Sequence, residues 1–496
     1  MLLNSAERDP AALALRDGRT VTYGELGDRA GAVAAEAADL GLESGDRVLL
    51  IGPASAEWVA AYYGLIGAGL IVVTANVMST QVELEYLFDD AGCSLAVAGE
   101  GVEAVLEAAA CGRCPARMLR EVGDRDGDTA AERGALHGGG DDTAVLLYTS
   151  GTTGRPKGTE LTHANLIAAA ELSLAGFEIA PEDSVLVALP LSHVFGQSVL
   201  LNTGVLAGAA LTLQPRFDPD QALRLMVRDR ISVFAGVPTM YNAMLRCASA
   251  GEVDLRSTLR LAVSGGAPMP VEILRQFEQR FGTPIIEGYG MTETTGVGVF
   301  NRLDRRRKVG KVGMPLDGIE IRIVDENDID IPSGGVGELL VAGPVVTKGY
   351  WERPAETAEV LRAGWLRTGD LATRDEDGDV AIVDRKKELI IRGGYNVYPR
   401  EVEEVLSEHP DVVEVVVTGV DHPHYGQEVA AAIVLGPGSE LDAEGLTSWS
   451  KERMSAYKYP RIIRFVEELP KSANGKLLRR AVSFDEESAK SADGDE

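Results

Sequence analysis

One stretch decides the fold of this 496-residue chain: Tyr148-Thr-Ser-Gly-Thr-Thr-Gly-Arg-Pro-Lys-Gly158. It follows the apolar run 144–147, which predicts a short buried strand. Its glycines let backbone N–H groups turn toward an anion, its hydroxyls donate further hydrogen bonds, and its lysine adds a full charge. The stretch therefore predicts a phosphate-binding loop whose contacts come from Thr149, Ser150, Gly151, Thr152, Thr153, Gly154 and Lys157.

This loop is not the common NTPase loop, because Pro156 stands where the pattern G-x-x-x-x-G-K, counted from Gly151, requires glycine. The alternative is a polar surface loop rich in glycine and threonine, which would suit many strand ends. Two further segments favour the phosphate loop, because they supply the remaining parts of a nucleotide site.

The first of these segments is Gly288-Tyr-Gly-Met-Thr-Glu-Thr294, which follows the strand-like run 284–286. Gly288 and Gly290 let the backbone approach a ligand closely, and Tyr289 offers an aromatic face for a base. Thr292 and Glu293 offer a hydroxyl and a hard carboxylate that suit Mg2+ beside phosphates. Taken alone, the segment is equally compatible with a ligand site of this kind and with a glycine-rich turn that has a helix N-cap at Thr292.

The second segment is Trp365-Leu-Arg-Thr-Gly-Asp370, followed by the basic cluster Asp384-Arg-Lys-Lys387. A carboxylate such as that of Asp370 can accept hydrogen bonds from two neighbouring hydroxyl groups at once. The cluster that contains Arg385 either belongs to a ligand site or forms a lysine-rich surface turn.

Together these motifs resemble the signature of the adenylate-forming superfamily, which groups acyl-CoA synthetases, peptide-synthetase adenylation domains and beetle luciferases. The resemblance extends from Thr20-Val-Thr-Tyr-Gly-Glu-Leu26 to Lys471-Ser-Ala-Asn-Gly-Lys476. It implies ATP, Mg2+ and coenzyme A as cofactors. It places Gly266, Ala267 and Pro268 beside adenine and the acyl group, and Gly288, Tyr289, Gly290 and Met291 at the nucleotide, with Tyr289 stacked on adenine. It also places Thr292 on the phosphate, Glu293 on the metal, Asp370 on the ribose, and Arg385 on the ribose or the phosphates.

The resemblance also assigns the chemistry. Lys476 matches the catalytic lysine, His193 in Pro190-Leu-Ser-His-Val-Phe-Gly196 matches a histidine beside the acyl carboxylate, and Lys387 matches the hinge position. A small domain is expected to rotate between two half-reactions, after which a loop that contains Gly393 and Gly394 lines the path of the CoA thiol. A cation is needed in the first step, because the acyl carboxylate and the α-phosphate are both anions.

Three segments resemble the fatty acyl-CoA ligase branch: Gln214-Pro-Arg-Phe-Asp218, 234–241 and 391–398. We therefore expect a medium- to long-chain fatty acid as substrate, and an aryl acid or malonate stays open. Gly236 and Gly266 either leave room for an alkyl chain or serve packing. The motifs are also compatible with an enzyme that loads a carrier protein, a luciferase-like oxidase or a non-catalytic binder, although a binder would be expected to have lost Glu293 or Lys476.

The pattern of apolar segments predicts an α/β fold. Helical segments alternate with buried strands in the first half, which indicates mostly parallel sheets covered by helices. Polar-apolar alternation in 318–342 predicts a small antiparallel barrel or hairpin. We expect an ATP- and acyl-binding domain over 1–383 and a mobile α+β catalytic domain over 384–496, with a disordered acidic tail from about 483.

Composition limits the partners. Lys and Arg total 48 and Asp and Glu total 76, so the net charge of −28 disfavours nucleic acid and anionic membranes. The apolar runs fall short of the roughly 18 residues that cross a bilayer, and the N-terminus lacks the order of a signal peptide. We expect a cytoplasmic monomer or homodimer. Cys111 and Cys114 have C-x-x-C spacing, but no second pair or nearby histidine completes a zinc set.

Overall fold

The structure is a computed structural model, and it describes residues 1–119, 139–149, 155–472 and 477–484. The predicted loop residues 150–154, Lys476 and nearly all of the predicted acidic tail lie outside the described residues. Four β-sheets organise the described part of the chain.

A seven-stranded sheet carries both ends of the predicted phosphate loop. Its central strands are parallel, and Thr143–Thr149 forms an antiparallel hairpin with Lys157–Thr162, so that Thr149 lies opposite Lys157. In spatial order the strands are Gly349–Tyr350, Lys157–Thr162, Thr143–Thr149, Ile71–Ala75, Arg47–Ile51, Cys93–Ala98 and Ala116–Met118.

A nine-stranded sheet carries the segment around Tyr289. Six consecutive strands of this sheet run parallel, and antiparallel strands complete both edges. In spatial order the strands are Met314–Pro315, Val299–Phe300, Ile285–Tyr289, Leu261–Ser264, Val233–Gly236, Ser184–Val187, Ala210–Leu213, Leu13–Asp17 and Arg19–Thr22.

Two smaller sheets follow. Where the sequence predicts a small barrel, the structure has a five-stranded antiparallel sheet of Glu320–Val324, Val336–Ala342, Leu361–Arg362, Trp365–Arg374 and Val380–Arg385. The C-terminal sheet contains Ile390–Arg392, Tyr395–Val397, Val412–His422, Gly426–Leu435 and Ile462–Phe465.

Helices cover the sheets. The α-helices are Leu2–Arg8, Tyr23–Asp39, Ala56–Gly67, Gln81–Ala91, Glu103–Ala110, His163–Phe177, Thr203–Ala207, Pro219–Arg228, Pro238–Arg246, Val271–Phe281, Pro354–Val360, Pro399–Ser407 and Ala443–Lys451. Phe195–Asn202 is a π-helix, and Ala248–Gly251, Thr292–Thr294 and Arg479–Ala481 are 3-10 turns.

The predicted fold class is confirmed, because mostly parallel sheets with helices on them precede a separate α+β unit. The largest buried core ends at Val380, and the core of the C-terminal sheet begins at Ile390. This change of core supports a boundary near 384, although Asp384 itself lies within the strand Val380–Arg385. The boundary and the mobility of the C-terminal unit stay predictions.

No helix in the described ranges has the length and apolar character required to span a membrane.

Candidate functional site

Asp370 is the first anchor of the candidate site. The hydroxyl of Tyr289 donates to Asp370 Oδ2 at 2.6 Å, and Arg385 Nε lies 3.2 Å from Oδ1. Strand pairing sets this geometry, since Asp370 on Trp365–Arg374 lies directly opposite Arg385. The Asp370 side chain is only 5% exposed, so its carboxylate interacts with Tyr289 and Arg385 and has little contact with solvent. Burial and the neighbouring Asp370 raise the pKa of Tyr289 well above its usual value, which keeps the phenol a donor.

Glu293 is the second anchor. It is buried in the short turn Thr292–Thr294, and its Oε1 accepts a hydrogen bond from the Tyr350 hydroxyl at 2.8 Å. Burial raises the pKa of the Glu293 carboxyl, and the Tyr350 hydrogen bond acts in the opposite direction. Arg385 and Asp370 also act on this carboxyl through space, so the two anchors belong to one region.

Lys157 brings the end of the predicted phosphate loop to the same region. Its ammonium lies 5.3 Å from the centroid of the Tyr350 ring, a cation–π contact. Tyr350 therefore contacts both Lys157 and Glu293. Among the described residues predicted for the nucleotide, Thr149, Lys157, Tyr289, Glu293, Asp370 and Arg385 are brought together by direct contacts, strand pairing or close electrostatic interaction. Their individual roles stay predictions.

The glycines of this segment have a use that the sequence does not reveal. A side chain at Gly288 would overlap the Phe300 ring, and one at Gly290 would overlap the backbone at Gly296. In the structure, the groups that come close to these two glycines are therefore other parts of the protein, Phe300 and the backbone of Gly296. Met291 and Thr292 are half-buried beside Glu293, and the N-cap of the turn is Met291 and not Thr292, which is the first residue of the turn itself.

The segment Ser264–Pro268 lies at the carboxyl end of a parallel strand, where ligands settle in sheets of this kind. Gly266 and Pro268 are exposed and Ala267 is half-buried. Gly266 has a φ of +77°, a conformation that favours glycine. The Phe195 ring packs beside Gly265, so this strand end faces the π-helix Phe195–Asn202.

His193 stands just before that π-helix. Its Nδ1 accepts from the backbone N–H of Phe195 at 3.2 Å, and its backbone carbonyl accepts from Gln197 at 2.9 Å. The hydrogen bond to Nδ1 fixes the ring orientation and places the proton of the neutral ring on Nε2. Sequence reasoning did not find the π-helix, a feature that is frequent at functional sites.

The predicted thiol-path glycines belong to the C-terminal sheet. Gly393 and Gly394 have φ values of +55° and +84° in the hairpin between Ile390–Arg392 and Tyr395–Val397. Gly393 N–H donates to the Tyr425 carbonyl at 2.8 Å, a contact within the same sheet. The role of these glycines stays a prediction, as do the roles of residues 150–154 and Lys476, which lie outside the described residues.

Sequence reasoning missed Asp90, which organises the surroundings of the loop. Asp90 Oδ2 accepts from the Tyr148 hydroxyl at 2.8 Å, and Oδ1 lies 3.2 Å from the Tyr86 hydroxyl and forms an ion pair with Arg353. The Tyr86 hydroxyl in turn contacts the Pro156 carbonyl at 2.7 Å. Residues on both sides of the loop are therefore tied to one carboxylate on the helix Gln81–Ala91.

Asp90→Asn should reduce the free energy of unfolding by about 1–3 kcal/mol, because it leaves the guanidinium of Arg353 without its anionic partner. Denaturant unfolding of both proteins measures the difference. Asp89→Asn is the matched control, since Asp89 is 64% exposed and pairs with Arg113 at the surface; it should cost at most about 1 kcal/mol. Equal losses in the two variants would contradict the role given to Asp90.

Glu287 is a second buried carboxyl that no motif indicated. It lies on the strand Ile285–Tyr289, and burial raises its pKa to about 7, against the opposing effects of Arg400 and Arg307. A carboxyl with a raised folded-state pKa stabilises the protein fully below its unfolded pKa of 4.5, and this contribution is lost as the pH rises through 7.

Glu287→Gln should therefore gain stability relative to the wild type as the pH rises. The difference in unfolding free energy, variant minus wild type, should increase by about 2 kcal/mol between pH 5 and pH 8. Urea unfolding at several pH values measures it. A difference that stays constant would show that folding leaves the pKa of Glu287 unchanged, and one that falls with pH would show that folding lowers it; either result would contradict the raised pKa.

Comparison with known proteins gives the family. Residues 2–351 match the AMP-binding enzyme family, and residues 401–476 match the AMP-binding enzyme C-terminal domain. The chain belongs to the AMP-binding enzyme family, within the adenylate-forming superfamily, which confirms the resemblance seen in its motifs.

Relatives within this family narrow the class. The chain is 37% identical to a feruloyl-CoA synthase of Amycolatopsis sp, with 96% of each covered, and 36% identical to a long-chain-fatty-acid–CoA ligase of Bacillus subtilis, with 98% of this chain and 94% of the relative covered. ATP-bound MatB from Rhodopseudomonas palustris matches with a TM-score of 0.90 and 33% identity over 97% of both chains. These relatives support ATP binding and acid–CoA ligase activity and leave the acid open.

Proposed function

We propose that this protein is an AMP-forming acid–CoA ligase whose substrate is a medium- to long-chain fatty acid. The observation that supports it best is the chain of contacts from Lys157 through Tyr350 to Glu293, next to the Asp370–Tyr289 pair. This arrangement brings a cation and two carboxylates, one suited to a metal and one to a ribose, into one region.

In the first half-reaction a carboxylate oxygen attacks the α-phosphorus of ATP, an acyl–phosphate bond forms, and pyrophosphate leaves. Lys157 and the adjacent loop hold the phosphates, while Asp370 accepts from the ribose hydroxyls and Tyr289 supports the adenine. Glu293 fits Mg2+ because it offers hard carboxylate oxygens at a buried position. The metal, when bound, would neutralise charge on the phosphates.

In the second half-reaction the CoA thiol attacks the acyl carbon, loses its proton, and AMP leaves with the electrons of the broken acyl–phosphate bond. We assign this step to the C-terminal unit from residue 384, which carries Gly393 and Gly394. Its rotation would withdraw Lys476 and bring the hairpin around these glycines to the thiol.

The acid is proposed to be uncharged apart from its reacting carboxylate. The segments 190–202, 233–241 and 264–270, which contain His193, Gly236 and Gly266, contain no lysine or arginine. A second carboxylate, as in malonate, would have no cation from these segments and would be costly to bury. This favours an apolar acid and agrees with the similarity to a long-chain-fatty-acid–CoA ligase.

An aryl acid such as ferulate is the second candidate, supported by the similarity to a feruloyl-CoA synthase. Gly236 does not separate the two, because Phe234 and Met240 would lie 3.0 and 3.2 Å from a side-chain carbon at that position. A side chain at this position would therefore be crowded by its packing neighbours, whichever acid binds.

Pyrophosphate release should be measured over a panel of fatty, aryl and dicarboxylic acids, with and without CoA. We expect the highest kcat/KM for a fatty acid and thioester formation with free CoA. A preference for cinnamates would replace the fatty acid by the aryl candidate. Acyl transfer only to a phosphopantetheinylated carrier protein would instead identify a carrier-loading enzyme.

Lys476→Ala should reduce the rate of adenylation by about 100- to 1,000-fold, because a cation that bridges the attacking carboxylate and the phosphate is lost in the transition state. Conversion of supplied acyl-adenylate to thioester should stay close to the wild-type rate. Lys471→Ala, at an exposed lysine in the same segment that pairs with Glu414, is the matched control. Equal loss of both half-reactions in Lys476→Ala would refute the separate roles.

A further inference from the structure

Tyr350 occupies a fixed position between the two large sheets. It is the last residue of the strand Gly349–Tyr350, which pairs with Lys157–Thr162 so that Tyr350 lies opposite Thr159. Its backbone N–H donates to Thr357 Oγ1 at 2.9 Å, and the N–H of Trp351 donates to the Gly158 carbonyl at 2.8 Å. The backbone of Tyr350 is therefore held on the same edge as the end of the phosphate loop.

The residues just before Tyr350 also form hydrogen bonds with Glu293 and with Thr295. Thr347 N–H donates to the Glu293 carbonyl at 2.8 Å, and Thr295 Oγ1 donates to the Val345 carbonyl at 2.7 Å. The Tyr350 hydroxyl then donates to the carboxylate itself at 2.8 Å. Because the backbone of Tyr350 is itself fixed, this hydrogen bond holds the Glu293 side chain in one orientation.

The ring of Tyr350 has a separate contact. Lys157 Nζ lies 5.3 Å from the ring centroid, on a side chain that is half-buried. The ring of Tyr350 therefore contacts Lys157, whereas its hydroxyl contacts Glu293. One side chain reaches the cation of the phosphate loop with its ring and the buried Glu293 carboxylate with its hydroxyl.

We propose that Tyr350 is a positioning residue that orients the Glu293 carboxylate for Mg2+ through its hydroxyl and the Lys157 ammonium for the phosphates through its ring. This inference rests on the proposed function, because it assigns Mg2+ to Glu293 and phosphates to Lys157. Removal of a group that orients a metal ligand typically weakens metal binding by about 10- to 100-fold.

Tyr350→Phe removes the hydroxyl and keeps the ring. The Mg2+ concentration at half-maximal pyrophosphate release should increase by about 10-fold or more, and saturating Mg2+ should restore most of kcat. A second readout is the thermal stabilisation by ATP. At limiting Mg2+ the stabilisation of the variant should be smaller than that of the wild type, whereas with ATP and EDTA the two should be equal.

Tyr350→Leu removes the ring as well. It should show the same Mg2+ defect and, in addition, a loss of about 3- to 5-fold in the affinity for ATP in EDTA, because Lys157 loses its cation–π contact. Tyr23→Phe is the matched control. Tyr23 is a fully buried tyrosine, its hydroxyl donates to the Ala209 carbonyl at 2.8 Å, and it lies outside the candidate site. Loss of the Tyr23 hydroxyl should lower the melting temperature without a change in the Mg2+ dependence of pyrophosphate release.

A Tyr350→Phe variant that melts at a lower temperature but keeps the wild-type Mg2+ dependence in both readouts would overturn the inference and leave a packing role only. The proposed function fails separately. If the wild type releases no pyrophosphate with any acid but is stabilised by ATP with Mg2+, the thermal readout still decides the role of Tyr350. A wild type that ATP and Mg2+ do not stabilise would overturn both.

Discussion

Two hydrogen bonds hold the candidate site together, and each joins different sheets. The bond from Tyr350 to Glu293 links the seven-stranded sheet to the turn that follows the nine-stranded sheet's strand Ile285–Tyr289. The bond from Tyr289 to Asp370 links that strand to the antiparallel sheet. Three sheets therefore meet at one carboxylate-rich region. Because each bond involves an acidic group that is buried, separation of the sheets would expose or orphan a polar group, which is costly.

This arrangement addresses an electrostatic problem of the whole chain. A net charge of −28 would repel each of the proposed anionic substrates, ATP, CoA and an organic acid, so a site for them must supply positive charge locally. Arg385 pairs with Asp370, and Lys157 contacts the ring of Tyr350, whose hydroxyl contacts Glu293. Both acidic groups are almost inaccessible to solvent. Short-range partners therefore decide the potential within the region, while the surface charge acts over longer distances that salt screens.

The sequence indicated the elements and the motifs because both are local. Strands such as Ala210–Leu213 and Leu261–Ser264 are short apolar runs, and such a run is enough to mark a buried strand in the sequence. Glu293, Asp370 and Lys157 were predictable because each stands in a motif. The prediction of a small antiparallel barrel or hairpin gave the antiparallel character of the five-stranded sheet but not its strand order, because polar-apolar alternation does not determine which strands pair.

The missed residues depend on contacts that are distant in the sequence. Tyr350 meets Glu293 across 57 residues, and Asp90 meets Tyr148 across 58 residues and Arg353 across 263. No spacing pattern reports such pairs. The roles of Gly288 and Gly290 were only partly visible for the same reason, since the groups that exclude a side chain at these positions are Phe300 and the backbone of Gly296.

A crystal structure of the protein with Mg2+ and a non-hydrolysable ATP analogue tests the shared nucleotide site most directly. We expect ribose hydroxyls within hydrogen-bonding distance of Asp370, the metal on a Glu293 oxygen and a phosphate oxygen next to Lys157. A nucleotide bound elsewhere, or bound there with Glu293 turned away from the metal, would contradict this site.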